Sequence, residues 1–257
     1  MRSRGLLLVA LGLFAGPVRA DEDAARKLID EAILAHGGEA ALTKYPVVTV
    51  RTEGVFQGYK NKPVFFHKYE ETTQGADQFR GEMRFEVHGA KLQVVNVLNG
   101  KQGWVMQSTV PKLGQPIEST KECTPAQLAE IQEGCYVSRM LTLVPLKGSA
   151  YTLALAGEQK KLNFTFVGVR VSSKGHRDVT LYFDKQTHLL AKVVHRGTAG
   201  TDDEGTVETR FGRYEKVQGI QMPISWETWL NDQCLFSFHV VERKLAEKAA
   251  PDTFAKP

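Results

Sequence analysis

No catalytic signature runs through this chain. It has no Gly-x-Ser-x-Gly elbow and no Ser-x-x-Lys pair, which removes the common nucleophilic hydrolase patterns. It has no Gly-rich phosphate cradle, no His-x-x-x-His and no Cys-x-x-Cys, so no local metal or nucleotide motif stands out. The seven histidines, His36, His67, His88, His176, His188, His195 and His239, read as isolated packed or solvated side chains. Asp202-Asp203-Glu204 lacks the spacing of a calcium loop and reads as a solvated turn. Neither a catalytic group, a metal nor a cofactor is expected.

Cysteine is scarce, with Cys123, Cys135 and Cys234 in 257 residues. Cys123 and Cys135 flank an expected helix from Pro125 to Glu133. Such a helix spans ~13 Å, too far for a disulfide between its ends. A bridge from either to Cys234 stays open, and free buried thiols are the simpler expectation.

A long apolar run is also missing. The strongest, Leu6 to Phe14, is too short to cross a bilayer. With Arg2 and Arg4 before it and Val18-Arg19-Ala20 after it, it reads as an export leader cleaved after Ala20. Residues 1–20 hold three arginines and no acid, so the remainder carries 30 basic and 29 acidic residues. That near-neutral balance has no basic stripe and argues against nucleic acid as a partner.

What is present is alternation. Asp21 to His36 predicts a helix with Ala25, Leu28, Ile29, Ala32 and Ile33 on one stripe, ended by Gly37-Gly38. Period-2 segments follow at Val47–Phe56, Lys62–Thr72, Gln78–His88, Lys91–Leu98 and Gln102–Thr109. Asn99-Gly100 is a strong hairpin signal. Between Pro111 and Pro145 the pattern turns helical. Thr124, Pro125 and Gln127 form a capping box, and Gly134 is placed as a helix end before a second short helix. Strands resume at Tyr151–Leu155, Lys161–Ser172, Arg177–Asp184, Leu189–Arg196 and Val207–Val217, followed by strands around Trp226 and Phe236. Residues 21–257 are thus expected to form one unit with a helical insertion at about 111–145. The fold class is mostly β with a few helices, a large antiparallel sheet that curls on itself.

The apolar positions of these strands are the candidate site. Phe164 and Phe166, Leu181 and Phe183, Met222, Ile224 and Trp226, and Phe236 and Phe238 alternate in the C-terminal strands, with Trp104 and Met106 as further members. An ordinary core would use the same residues. A cleft between sheet and helices would make them a lining for an acyl chain.

Several segments carry a resemblance. They are Leu181 to Leu189, an Asp-bearing hairpin; Phe211-Gly212-Arg213-Tyr214, then Val217 to Pro223; Pro251 to Pro257, with Phe254 packing the tail back; and Ala35-His36-Gly37-Gly38. Together with a leader and about a dozen strands, they resemble the LolA-like periplasmic lipoprotein-carrier superfamily. The resemblance implies a half-barrel whose apolar concave face is covered by helices, with Trp226, Phe236, Phe238, Phe164 and Phe183 facing the concavity. It implies a non-enzymatic periplasmic or cell-envelope protein that binds a lipid, an acyl chain or an acylated lipoprotein. The alternative is an envelope module that docks a membrane-protein partner through a sheet edge or the loop from Thr198 to Gly205.

Overall fold

A computed structural model describes residues 17–57, 63–201 and 203–257. The expected leader at 1–20 lies outside these residues up to position 16, as does Asp202 of the acidic turn. The described chain opens with helix α1, Pro17–Ala35, and the short helix α2, Glu39–Lys44. Six strands follow: β1 Val47–Phe56, β2 Val64–Gln74, β3 Gln78–Val87, β4 Ala90–Asn99, β5 Gln102–Val110 and β6 Ile117–Glu122. Helix α3, Pro125–Met140, and a single 3-10 turn, Val144–Lys147, interrupt them. The second run is β7 Thr152–Lys161, β8 Phe164–Ser172, β9 Val179–Asp184, β10 Leu190–Gly197 and β11 Gly205–Phe211. It ends with β12 Tyr214–Val217, β13 Ile220–Pro223, β14 Ser225–Leu230 and β15 Gln233–Ala246.

Thirteen of these strands form one antiparallel sheet in the order β6-β5-β4-β3-β2-β1-β15-β14-β11-β10-β9-β8-β7, and β12 pairs with β13 beside it. The long last strand β15 sits between β1 and β14 and so joins the N- and C-terminal runs. A twisted sheet of this width curls, and helices α1 and α3 occupy the hollow side.

The stripe of α1 is buried in full: Ala25, Leu28, Ile29, Ala32 and Ile33 pack with Tyr136, Val137 and Met140 of α3 and with Val169, Val171, Val179, Leu181, Phe183, Leu190 and Val193 of the sheet. The concavity over β7–β9 is therefore solid core. On the outer face, Phe254 of the tail packs against Val95, Val97 and Trp104.

Three local differences from the sequence reading have physical causes. Gly134 does not end a helix. The Thr124 capping box forms, and α3 runs through Gly134 to Met140 as one helix, because the apolar surface beyond it, Cys135 to Val137 and Met140, is buried. The first part of the 111–145 insertion is not helical either, since Ile117–Glu122 extends the sheet as edge strand β6. The expected strand Val207–Val217 breaks at Gly212, whose N–H bonds Ser225 O at 2.8 Å and where any Cβ would meet Ser225 Oγ at 2.2 Å. The break frees Tyr214–Val217 to pair with β13.

Candidate functional site, a two-ended cavity

Over the other half of the sheet the concave face is not filled. A cavity of about 1050 Å³ lies between β1–β4, β10, β11, β13–β15 and α3, at the upper end of the range for ligand pockets. Its lining is ordered by strand register. Leu92, Phe85, Phe66, Gly54, Phe238, Trp226 and Phe211 lie side by side across seven strands. All but Gly54 line the cavity. Phe238 is the hub of this aromatic row. Its ring centre is 5.3 Å from Phe66, 5.7 Å from Tyr69, 5.2 Å from Trp226 and 5.6 Å from Phe236. Phe56 stacks on Phe236 at 4.8 Å one step further along.

Gly54 makes the row continuous. A Cβ there would sit 2.0 Å from Ser237 O and 2.6 Å from the Phe66 ring, so only glycine lets the flanking rings close over the strand.

A second row crosses the same face. Asn96, Gly81, Glu71, Val50 and Arg243 share one register on β4, β3, β2, β1 and β15, and all five line the cavity. Along β15, Arg243 is five residues from Phe238, roughly 15 Å of strand. Greasy and polar ends are thus separated along one surface. Tyr69 Oη donates to Glu71 Oε2 at 2.8 Å. Burial pushes the Glu71 carboxyl above its ordinary value, which favours the uncharged acid. Burial and the nearby Glu71 push the Cys135 thiol up to about 12, the range of an unreactive thiol. The three cysteines are free.

Helix α3 is the roof, contributing Ile131, Gly134 and Val137 to the lining, with Leu141 at its C-terminal cap. Polar ties hold it to the loops around β9 and β10. His176 Nδ1 lies 2.7 Å from Glu133, Arg177 Nη1 donates to Glu130 at 3.2 Å, and Thr198 N–H donates to Glu130 at 3.1 Å. The His176 ring stacks on Tyr136 at 3.9 Å.

His36 and Ile220 line the cavity where the turns at Gly37-Gly38 and Gly219 meet. Gly37 has φ +123°, and a Cβ on it would meet Gly219 O at 2.4 Å. His36 beside it bonds Ala32 O through Nδ1 at 2.8 Å and accepts Leu190 N–H at Nε2 at 3.4 Å. Tyr214 Oη donates to Leu190 O at 2.6 Å. Desolvation pulls the His36 pKa down, as this neutral tautomer requires. His36 is a structural pin.

The eleven candidate residues fall in four places. Met222, Trp226, Phe236 and Phe238 line the cavity. Leu181 and Phe183 are fully buried against α1, not on the cavity wall. Phe164 and Phe166 stack on each other at 6.3 Å, with Phe164 at the surface. They sit on the outer face, because Phe166 registers with Asp184 while Phe183 registers with Val167. Trp104 and Met106 are also on the outer face, beneath the tail. Ile224 lies at the bend between β13 and β14, its N–H bonded to Arg213 O at 2.8 Å, outside the lining. Among the described residues no group of three His, Cys, Asp or Glu side chains is placed to hold a metal ion.

No family model and no curated protein matches the chain. Solved structures do. A LolA superfamily protein from Nitrosomonas europaea superposes with TM-score 0.50 at 13% identity, over 90% of this chain and 97% of the other. A DUF1329 family protein from Desulfovibrio piger gives TM-score 0.52 at 12% identity, over 90% and 96%. A domain from Vibrio parahaemolyticus, provisionally assigned as an outer membrane lipoprotein-sorting protein, gives 0.50 at 10% identity, over 91% and 97%. The chain has the LolA-like fold, a curled antiparallel sheet with helices in its hollow.

Proposed function

We propose that this protein is an exported, non-enzymatic binding protein that shelters the apolar part of a lipid, acyl chain or lipoprotein inside the cavity. The observation that carries the reading is the unfilled concavity of about 1050 Å³ roofed by α3 and floored by the aromatic row. Packed interiors leave few voids larger than a water, so a space of this size, lined by rings, suits a ligand. The driving force is burial, at about 0.8 kcal/mol per methylene, and release would follow movement of α3 or competition by an acceptor. The leader-like residues 1–20 support export to the periplasm or cell envelope. Likeness to a structure provisionally assigned to lipoprotein sorting supports the cargo class.

The test is titration of the delipidated protein with saturated fatty acids of increasing length. Affinity should be saturable at one site and rise about fourfold per added methylene until the cavity is full. Flat dependence on chain length, or no saturable binding, would contradict the reading.

A second reading is the partner-docking module. The sheet has two open edges, β6 and β7, and Leu162 and Phe164 at the β7–β8 turn are exposed. Failed lipid binding together with capture of an envelope membrane protein would favour it.

A further inference from the structure

Arg243, in the polar row, carries buried donors that its contacts leave unmet. It projects from β15 onto the cavity face beside Val50, and its side chain is only 4% exposed. Nη2 donates to Pro223 O at 2.6 Å. Nε and Nη1 are shut off from solvent and have no hydrogen-bond acceptor among the described residues. The nearest acid, Glu215, stands 3.7 Å from Nη1 and is half exposed, too far for a hydrogen bond. A buried guanidinium with two unmet donors is costly even beside the Glu215 ion pair, and a turn of the side chain toward the cavity would let a bound anion meet both donors.

We propose that the occupant of the cavity is an anionic amphiphile, its carboxylate or phosphate held by Arg243 at the polar row and its apolar tail running along β15 to the aromatic row at Phe238. This rests on the reading of the cavity as a lipid site and adds to it the chemistry of the head group. The register supplies the arrangement, since head and tail positions lie roughly 15 Å apart on one strand. Glu71 lies in the same row, two strands from Arg243. It is turned toward Tyr69, whose Oη donates to it at 2.8 Å, and so points at its own strand neighbour. Charge-assisted hydrogen bonds in such surroundings are the strong ones, which is why a single arginine can decide head-group choice.

The experiment compares three ligands with one tail, hexadecanoic acid, hexadecyl phosphate and hexadecanol, on the delipidated protein. One or both anions should bind roughly tenfold to a hundredfold more tightly than the alcohol, and the stronger of the two identifies the head as carboxylate or phosphate. Arg243→Met should bring the anions down to the affinity of the alcohol and leave the alcohol as it was. Equal binding of all three ligands by the wild type would overturn the assignment, as would an Arg243→Met variant that weakens all three alike. If none of the three binds, the lipid-site reading falls and this inference with it; if the alcohol alone keeps its affinity against the anions, only the head-group assignment falls. Should Arg243→Met not fold, Glu215→Gln serves instead. Loss of that neighbouring carboxylate should strengthen anion binding severalfold with the alcohol unchanged, and an unchanged anion affinity would count against the proposal.

Discussion

Phe183→Ala is expected to lower the unfolding free energy by about 3–5 kcal/mol, whereas Phe238→Ala should cost only about 1–2 kcal/mol and should instead weaken ligand binding roughly tenfold. The two rings belong to the same sheet and read alike in the sequence. Phe183 is fully buried between α1 and its strand neighbours, so truncation leaves a hole in close-packed core. Phe238 already faces open space. Removing it enlarges a void that exists and forfeits ring contacts with Phe66, Trp226 and Phe236. Urea unfolding with and without a bound fatty acid measures both effects. Equal destabilisation by the two variants would mean that the cavity half is packed like the core half.

Gly54→Val is the second large effect, at about 3 kcal/mol or more. The residue sits at the centre of the aromatic row, and its missing side chain is where the rings of Phe66 and Phe238 meet. A Cβ would overlap the backbone oxygen of Ser237 at 2.0 Å, which cannot swing aside as a side chain could. The pairing of β1 with β15 must shift, and with it the strand that joins the two halves of the sheet. Thermal unfolding should show the loss, and binding of a fatty acid should fail in whatever fraction remains folded. A variant with wild-type stability would show that the row is not closed over Gly54.

Most of the architecture was legible as periodicity. The α1 stripe, the Asn99-Gly100 hairpin and the alternating strands each depend on local chemistry, and each lies where its pattern points. The cavity wall was legible only where alternation runs unbroken, as from Phe236 to Phe238. Bulges hid the rest. Carried forward from Phe238, a strict period of two puts even-numbered residues on the concave face. The bulge opposite Arg51 and Thr52 inserts one residue into β15, and the face passes to Arg243 and Leu245. The same happens in β2. Alternation from Val64 and Phe66 points to Lys68, but the shift between Phe66 and Lys68 delivers Tyr69 and Glu71 to the cavity. Both polar groups at the Arg243 end were therefore invisible to a count of alternating positions. Phe164, Phe166, Leu181 and Phe183 failed for another reason. Period alone names two faces per strand without saying which face of the neighbouring strand each one joins, and only pairing settles that.

In the proposed complex an acyl chain enters the cavity and lies against its aromatic floor. The chain has three tryptophans, Trp104, Trp226 and Trp229, so replacing Trp104 and Trp229 by Phe leaves Trp226 as the sole reporter on that floor. Titration with a fatty acid brominated along its tail should then quench Trp226 fluorescence in a saturable manner, reversed by the unbrominated acid. Unchanged Trp226 emission throughout the titration would mean that no acyl chain reaches that floor.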